Sequence, residues 1–480
     1  MRLISMNIMN LTVASALGLA AFSPPVRAEI PTQDFGEMAT TAFDADYSPN
    51  IVGGQDANIE DFPWQVALTD GTSQFCGGSI IDARWILTAA HCATPTLTHI
   101  RAGVTNKTDS VTGQDIPVLR QILHPAYEVK NPNDSDIMLL ELASPLDLSG
   151  TKAKAIPIMT DQAAASGIQN PGVNALISGW GALSSGGTDP DVLQKAIVPI
   201  VANEEAAVSY AANPDYGPGY ITAKMIAAGY LGVGNIDTCQ GDSGGPMVVT
   251  DNANPFGYRL AGVTSFGEGC ASPDYMGIYT RVSKFEIWIN NKMSSPPPYN
   301  DVPTTSWAYD YINAIRDVGI TGGCGNGNYC PQDLVTREQM AAFLVRAVEG
   351  EPDANYCGGS SYYSDVAPDA WSCRYIKRLA ELNITGGCGG GNYCPEGLVT
   401  REQMAAFIVR AVAGEPALDY CGGVAPFQDV APSAFFCRYI KRLVELGVTQ
   451  GCGNGNYCPG NEVNREQMAA FLARPFLKME

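Results

Sequence analysis

Three short segments carry the residue types that nucleophilic catalysis requires. His91 lies in "WILTAAHC" and Ser243 lies in "DTCQGDSGGP". Between them, "DSDIMLLEL" contributes Asp134 and Asp136. A serine hydroxyl is a weak nucleophile until a base takes its proton, and a histidine base needs a carboxylate to orient its ring. Together the segments could supply a nucleophile, its base and the carboxylate that holds the base.

These motifs, in this order, resemble those of the trypsin/chymotrypsin serine protease family. The resemblance implies that Ser243 is the nucleophile and His91 the base. It implies that Asp136 is the carboxylate, and the strand-like "DIMLLEL" that begins there favours Asp136 over Asp134. The N–H groups of Gly241 and Ser243 are then expected to form the oxyanion hole.

The resemblance also implies a substrate pocket, which we expect to be lined by Asp237, Thr238, Ser265, Gly267 and Gly277. Asp237 would lie at the base, with the two glycines as thin walls. A buried carboxylate favours a cation, so we expect cleavage after Arg or Lys. The alternative is that Asp237 lies in a displaced, exposed loop, but its spacing to Ser243 matches trypsin rather than chymotrypsin.

The segment "DYSPNIVGG" resembles the activation site of this family. After cleavage behind Asn50, the new amino group of Ile51 is expected to turn inward and pair with Asp242. A neutral Asn50 side chain would leave the Asp237 carboxylate unpaired in the pocket, and residues 29–50 contain no Arg or Lys. We therefore expect a precursor that a different protease activates in trans.

The chain of 480 residues is too long for one ordinary domain. The sequence predicts a signal peptide (1–28), an acidic pro-segment (29–50), a trypsin-like domain (51–293), a Pro/Ser linker (294–306) and three repeats (307–475). The apolar run near the N-terminus is short for a membrane anchor, which favours a removable signal and no transmembrane anchor after its removal. The family resemblance covers about residues 51–292 and implies an all-β double six-stranded barrel.

A repeat follows the linker, because "TREQMAAF" begins at Thr336 and Thr400 and "NREQMAAF" begins at Asn464, with a period of 64 residues. Each unit is predicted to be helix, Gly-rich loop, helix, which makes this domain all-α. One helical face is expected to contain Met340, Phe343, Leu344 and Ala347. The repeats, at about 302–348, 363–412 and 427–475, resemble S-layer homology modules, which anchor exported bacterial proteins to cell-surface polysaccharide.

An arginine follows the helix cap in every repeat, at Arg337, Arg401 and Arg465. A cation in the first helical turn opposes the helix dipole, which points to an anionic surface ligand. The alternative is fold maintenance, because Thr336 with Gln339 and Thr400 with Gln403 can form capping boxes. The sequence leaves both interpretations open.

The 14 cysteines fall into two sets. The family resemblance implies the pairs Cys76–Cys92 and Cys239–Cys270. The repeat period predicts the pairs Cys324–Cys330, Cys357–Cys373, Cys388–Cys394, Cys421–Cys437 and Cys452–Cys458. Zinc is the alternative for the second set, but the repeats contain no histidine and an exported chain meets an oxidising compartment. We expect no metal and no cofactor.

The formal net charge of −20 argues against nucleic acid as a partner. The expected partners are protein or peptide substrates, an activating protease and a cell-surface polysaccharide. We expect a secreted or surface-associated bacterial endopeptidase. The alternative from another functional class is a non-catalytic surface adhesin on a protease scaffold.

Overall fold

A computed structural model describes residues 52–294 and 299–479. The predicted signal peptide, the pro-segment, Asn50 and Ile51 lie outside the described residues. The strands, in chain order, are β1 (Gln55–Asp56), β2 (Gln65–Thr69), β3 (Gln74–Asp82), β4 (Trp85–Thr88), β5 (His99–Ala102), β6 (Gln114–Leu123), β7 (Met138–Leu142), β8 (Asn174–Gly179), β9 (Gln194–Val201), β10 (Met225–Ala228), β11 (Pro246–Asp251), β12 (Gly257–Phe266) and β13 (Gly277–Arg281).

Two closed antiparallel barrels account for nearly all of these strands. The first has the strand order β2-β3-β4-β7-β6-β5. The second has the order β9-β10-β13-β12-β11-β8 and closes through pairing of β8 with β9, while β1 adds to β9. The short strands β2 and β10 are buried along their whole length. The predicted double barrel is confirmed.

The helices begin with three in the first domain and continue with three pairs in the repeats. They are α1 (Asp161–Ala164), α2 (Asn203–Ala212), α3 (Glu286–Ser294), α4 (Tyr309–Asp317), α5 (Arg337–Glu349), α6 (Cys373–Glu381), α7 (Arg401–Ala413), α8 (Cys437–Glu445) and α9 (Arg465–Leu477). The pairs α4/α5, α6/α7 and α8/α9 confirm the predicted helix–loop–helix units. No helix in the described ranges has the length and apolar character needed to cross a bilayer.

The long helix of each repeat begins and buries its apolar face as the sequence predicts. Thr336 and Thr400 form capping boxes with the glutamines three residues later, and Asn464 accepts a hydrogen bond from the Gln467 N–H. The face that contains Met340 and Leu344 is fully buried. This burial, rather than helix propensity, stabilises such short helices.

The three repeats close into a ring. The long helices α5, α7 and α9 pack against one another, while α6 packs on α5, α8 on α7 and α4 on α9. The contact of α4 with α9 joins the first repeat to the third. An isolated β-bridge between Leu334 and Asn464 also joins the first repeat to the third. We call each contact between two repeats a seam. The equivalent bridges at the other two seams join Thr336 with Leu398 and Thr400 with Glu462.

Arg337, Arg401 and Arg465, for which the sequence left ligand binding and fold maintenance open, are buried at these seams. The Arg337 Nε donates to the Tyr393 carbonyl of the next repeat at 2.7 Å. Its guanidinium also lies 4.7 Å from the centre of the Tyr393 ring. Arg401 and Arg465 repeat this contact with Tyr457 and Tyr329. Each of these arginines therefore has a neighbouring repeat as its hydrogen-bond partner at Nε.

All cysteines of the chain are paired, in the seven combinations expected from the sequence. Cysteines near Asp301 and Asp365 lie within metal-binding distance of those carboxylates, but disulfide sulfurs are not thiolate ligands.

The linker differs from its prediction, because Val302 is buried and Tyr299 packs against the repeat core. Residues 299–302 therefore belong to the first repeat.

The repeats pack directly on the barrel domain. Lys292 of α3 forms an ion pair with Asp317 of α4 at 2.8 Å. The Asn291 side chain donates to the Arg316 carbonyl at 3.1 Å. On another side, Ala126 of the barrel domain is buried within the hydrophobic core of the repeats. The two domains thus share both polar and apolar contacts.

Candidate active site

The first barrel positions a histidine and an aspartate together. His91 lies in a 3-10 turn that follows β4, and the Cys76–Cys92 disulfide ties this turn to β3. Asp136 lies two residues before β7. The His91 Nδ1 lies 2.7 Å from the Asp136 Oδ2, and the His91 main-chain N–H donates to Oδ1 at 2.9 Å. Both oxygens of the carboxylate therefore hold the histidine.

Asp136 is fully buried and receives further hydrogen bonds from the second barrel. Ser265 Oγ donates to its Oδ2 at 2.6 Å, and Thr280 Oγ1 donates to its main-chain carbonyl at 2.6 Å. The sequence predicted Ser265 as part of the substrate pocket, and its hydroxyl also binds Asp136. Thr280 was not predicted, and no local signal marks it, because its partner lies 144 residues away.

The environment of His91 suits a group that accepts a proton. Burial favours the neutral ring, but the hydrogen bond and charge of Asp136 outweigh burial and raise the pKa of His91 above 6.5. Asp136 therefore stabilises the imidazolium. The side chain remains 29% exposed, so the ring is accessible from solvent.

The second barrel contributes Ser243, which precedes β11. The Ser243 carbonyl accepts a hydrogen bond from the Gly77 N–H of the first barrel at 2.7 Å. It also lies 3.6 Å from the sulfur of Cys92, the residue after His91. A Cβ on Gly244 would lie 2.1 Å from the Thr88 Oγ1, so only glycine permits this approach. The segments that contain Ser243 and His91 thus contact each other where the barrels meet.

The loop before Ser243 presents two unused main-chain donors. Within residues 52–294 and 299–479, no group accepts from the N–H of Gly241 or Ser243. Gly241 has a φ of +97°, and the Gln74 side chain donates to its carbonyl at 2.7 Å. Lys107 Nζ donates to the other end of Gln74 at 3.3 Å. The sequence indicated the two donors but not the side chains that hold their loop.

Asp237 lies buried beside the predicted glycines. Its carboxylate accepts from the Thr238 N–H at 2.8 Å and from the Ala271 N–H at 3.2 Å. A Cβ on Gly277 would lie 2.6 Å from the Asp237 Oδ1, whereas one on Gly267 would lie 4.0 Å from its Oδ2. Burial raises the pKa of Asp237 to about 7, against the lowering effect of the two main-chain donors. A carboxylate in this state gains from a bound cation.

Asp242 is also buried, and it accepts hydrogen bonds from the Gly181 N–H at 2.8 Å and the Cys239 N–H at 3.0 Å. Burial raises its pKa to about 6. The expected pairing of Asp242 with Ile51 falls outside the described residues.

Comparison with known proteins identifies both parts of the chain. The family model for trypsin matches residues 51–289, and that for the S-layer homology domain matches residues 298–341, 362–405 and 426–469. A trypsin from Xenopus laevis is 40% identical over 259 residues, which cover 54% of this chain and 95% of that protein. A trypsin from Phaedon cochleariae is 39% identical over 51% of this chain and 90% of its own length.

Serine protease 1 from Rattus norvegicus is 36% identical over 264 residues, covering 54% of this chain and 95% of that protein. These matches span the two barrels and the residues gathered between them. The repeats lie outside the trypsin region of this chain. The chain therefore belongs to the trypsin family of serine proteases and joins a trypsin domain to three S-layer homology repeats.

Proposed function

We propose that this protein is a secreted trypsin-like endopeptidase that cleaves after Arg or Lys and uses its repeats to bind a cell surface. The observation that carries the catalytic part is the 2.7 Å contact between His91 and a fully buried Asp136. Burying a carboxylate is unfavourable unless several donors satisfy it. A scaffold for binding alone has no need of such a pair beside an accessible serine.

In the proposed mechanism, Ser243 Oγ attacks the carbonyl carbon of the scissile bond while His91 takes its proton. Asp136 stabilises the resulting imidazolium, and the N–H groups of Gly241 and Ser243 bind the developing oxyanion. His91 then protonates the leaving amine, so that the C–N bond breaks and an acyl-enzyme remains. Water, deprotonated by the same base, releases the acid product.

Replacing the nucleophile tests the catalytic proposal. We expect Ser243→Ala in the matured full chain to lower kcat on an arginine chromogenic peptide by about 10⁴-fold or more, because the hydroxyl that forms the acyl-enzyme is lost. Ser185→Ala, an exposed serine, is the matched control and should retain wild-type activity. Equal rates for wild type and Ser243→Ala would overturn the proposal and favour the adhesin alternative.

The same assay has a predicted pH dependence. Only neutral His91 can accept the proton, so kcat/KM should fall as pH decreases through a value above 6.5.

The Asp237 carboxylate explains the proposed preference for a basic side chain. We expect Asp237→Ser to lower kcat/KM for an arginine peptide by about 10²–10³-fold, because the substrate cation loses its buried partner. In the wild type, binding of benzamidinium should weaken as pH falls below about 7, since a protonated Asp237 cannot pair with it. Asp274→Ser, at an exposed position, is the control. Unchanged arginine preference in Asp237→Ser would show that the pocket is assigned wrongly.

A different protease is proposed to perform the activating cut, because Asn50 offers no cation to Asp237. A full-length Ser243→Ala precursor should therefore still be cleaved after Asn50 when it is incubated with the culture medium of its native producer. N-terminal sequencing of the product, which should start at Ile51, provides the measurement. If only the wild-type precursor matures, the protein activates itself and the trans-activation proposal fails.

Exposed aromatic side chains are better candidates for surface binding than the buried arginines. Trp307, Trp371 and Phe435 are separated by the repeat period and are 56%, 54% and 57% exposed. Large exposed rings at equivalent positions form flat apolar platforms, on which the C–H faces of sugar rings can pack. We therefore assign the proposed polysaccharide contact to these positions.

Retention on isolated cell walls tests this assignment. Full-length Ser243→Ala chain should be retained, and the additional triple change of Trp307, Trp371 and Phe435 to alanine should abolish retention. Leu418→Ala in the same background is the control, because Leu418 is 86% exposed but has no place in the aromatic set. Retention of the triple variant at the control level would refute the assignment.

A further inference from the structure

One barrel segment in contact with the repeats is the loop that directly precedes Asp136. This aspartate loop, residues 124–135, connects β6 to Asp136 and β7. His124 N–H donates to the Ile137 carbonyl at 3.0 Å, and Glu128 N–H donates to the Asp134 carbonyl at 3.0 Å. Because Asp136 follows directly, the main chain links the position of the loop to the carboxylate that orients His91.

The barrel domain holds the inner side of this loop. Asn131 Nδ2 donates to the Tyr220 carbonyl at 3.0 Å, and Asn133 Nδ2 donates to the Tyr220 hydroxyl at 2.9 Å. Lys224 Nζ donates to Ser135 Oγ at 3.1 Å and forms an ion pair with Asp134 at 3.5 Å. These contacts fix the end of the loop next to Asp136.

The repeats cover the outer side of the loop. Ala126 is 5% exposed and belongs to the repeat core, and Val129 packs against the same core. Lys478 Nζ donates to the Tyr127 carbonyl at 3.1 Å. In the first half of the loop, Ala126 and Val129 thus pack on the repeats. Tyr127 packs on the barrel core, and the His124 ring contacts Phe285 and Trp288 of the barrel domain.

The covering surface is built by all three repeats at once. Val348, Val412 and Phe476 occupy equivalent positions, 64 residues apart, near the C-terminal ends of α5, α7 and α9. All three line one cavity together with Ala126 and Val129. The ends of the three long helices thus converge on the aspartate loop.

Packing at this contact is incomplete. The shared cavity has a volume of about 360 Å³, and Asp134 lines it. Asp134 is 2% exposed, and its Oδ1 has no hydrogen-bond partner within the described residues. This space lies between the aspartate loop and the repeat surface, which bounds it on the outer side.

We propose that the repeats are an intramolecular positioning partner for Asp136, acting through the aspartate loop. The proposal rests on the proteolytic activity proposed above and assigns the repeats a second role besides surface binding. Catalytic groups must be held to within a fraction of an ångström, so loosening the loop reduces the rate without removing any reacting atom. Val348 and Lys478 are positioning residues in this sense, because they act only through the loop.

A charge introduced into the covering surface tests the proposal in the matured full chain. Val348→Lys should lower kcat on an arginine peptide by about 10- to 100-fold, with little change in KM. It should also move the acidic limb of the kcat profile towards pH 6.5, because a displaced Asp136 no longer raises the pKa of His91. Val424→Lys is the matched control: the same substitution in the repeats, at a position that is 70% exposed, should change neither quantity.

A second variant keeps the proposal testable if Val348→Lys fails to fold. Lys478→Met removes only the hydrogen bond to the Tyr127 carbonyl and should lower kcat by about two- to fivefold. Titration with a serine-directed phosphonate measures the concentration of active enzyme. A lower yield of folded protein is then not mistaken for a lower kcat. Wild-type kcat and pH profile in both folded variants would overturn the positioning role. An inactive matured wild type would instead refute the proposed protease function.

Discussion

The buried carboxylate of Asp136 is the constraint on which the arrangement of this protein depends. A charge removed from water must be satisfied by several donors at once. Here the donors to the carboxylate come from distant parts of the chain: His91 belongs to the first barrel, whereas Ser265 belongs to the second. The two barrels can satisfy this carboxylate only when they are closed against each other. Formation of the site and docking of the barrels are therefore one event.

Reciprocal hydrogen bonds between buried groups also hold the repeats together. Each seam buries an arginine whose Nε donates to the carbonyl of a tyrosine in a neighbouring repeat, while that tyrosine's hydroxyl donates to the arginine carbonyl at 2.7–2.8 Å. When a guanidinium is buried, its attraction to the aromatic rings beside it replaces part of the stabilisation that water had provided. One isolated repeat would leave this set of groups unpaired, so the three units depend on one another for burial.

Sequence patterns specify what is local or periodic. The apolar face of α5, the capping boxes at Thr336 and Thr400 and the period of the cysteines are visible because their partners lie a few residues or one repeat away. The family motifs likewise indicate His91, Asp136 and Ser243. The roles of Gln74 and Thr280 were not predictable, because their partners are set only when the barrels close. The burial of Arg337 was missed for the same reason, since a helix-dipole argument considers one repeat and its partner lies in the next.

Closure of the ring between α4 and α9 fixes the copy number of the repeats. Open arrays of repeats can gain or lose a unit at either end, and they need special terminal units to shield the exposed faces. In this ring every seam is of the same kind, so there is no end at which a fourth unit could be added and no terminal face to shield. Gene duplication of one repeat would have to break a seam before it could be accommodated.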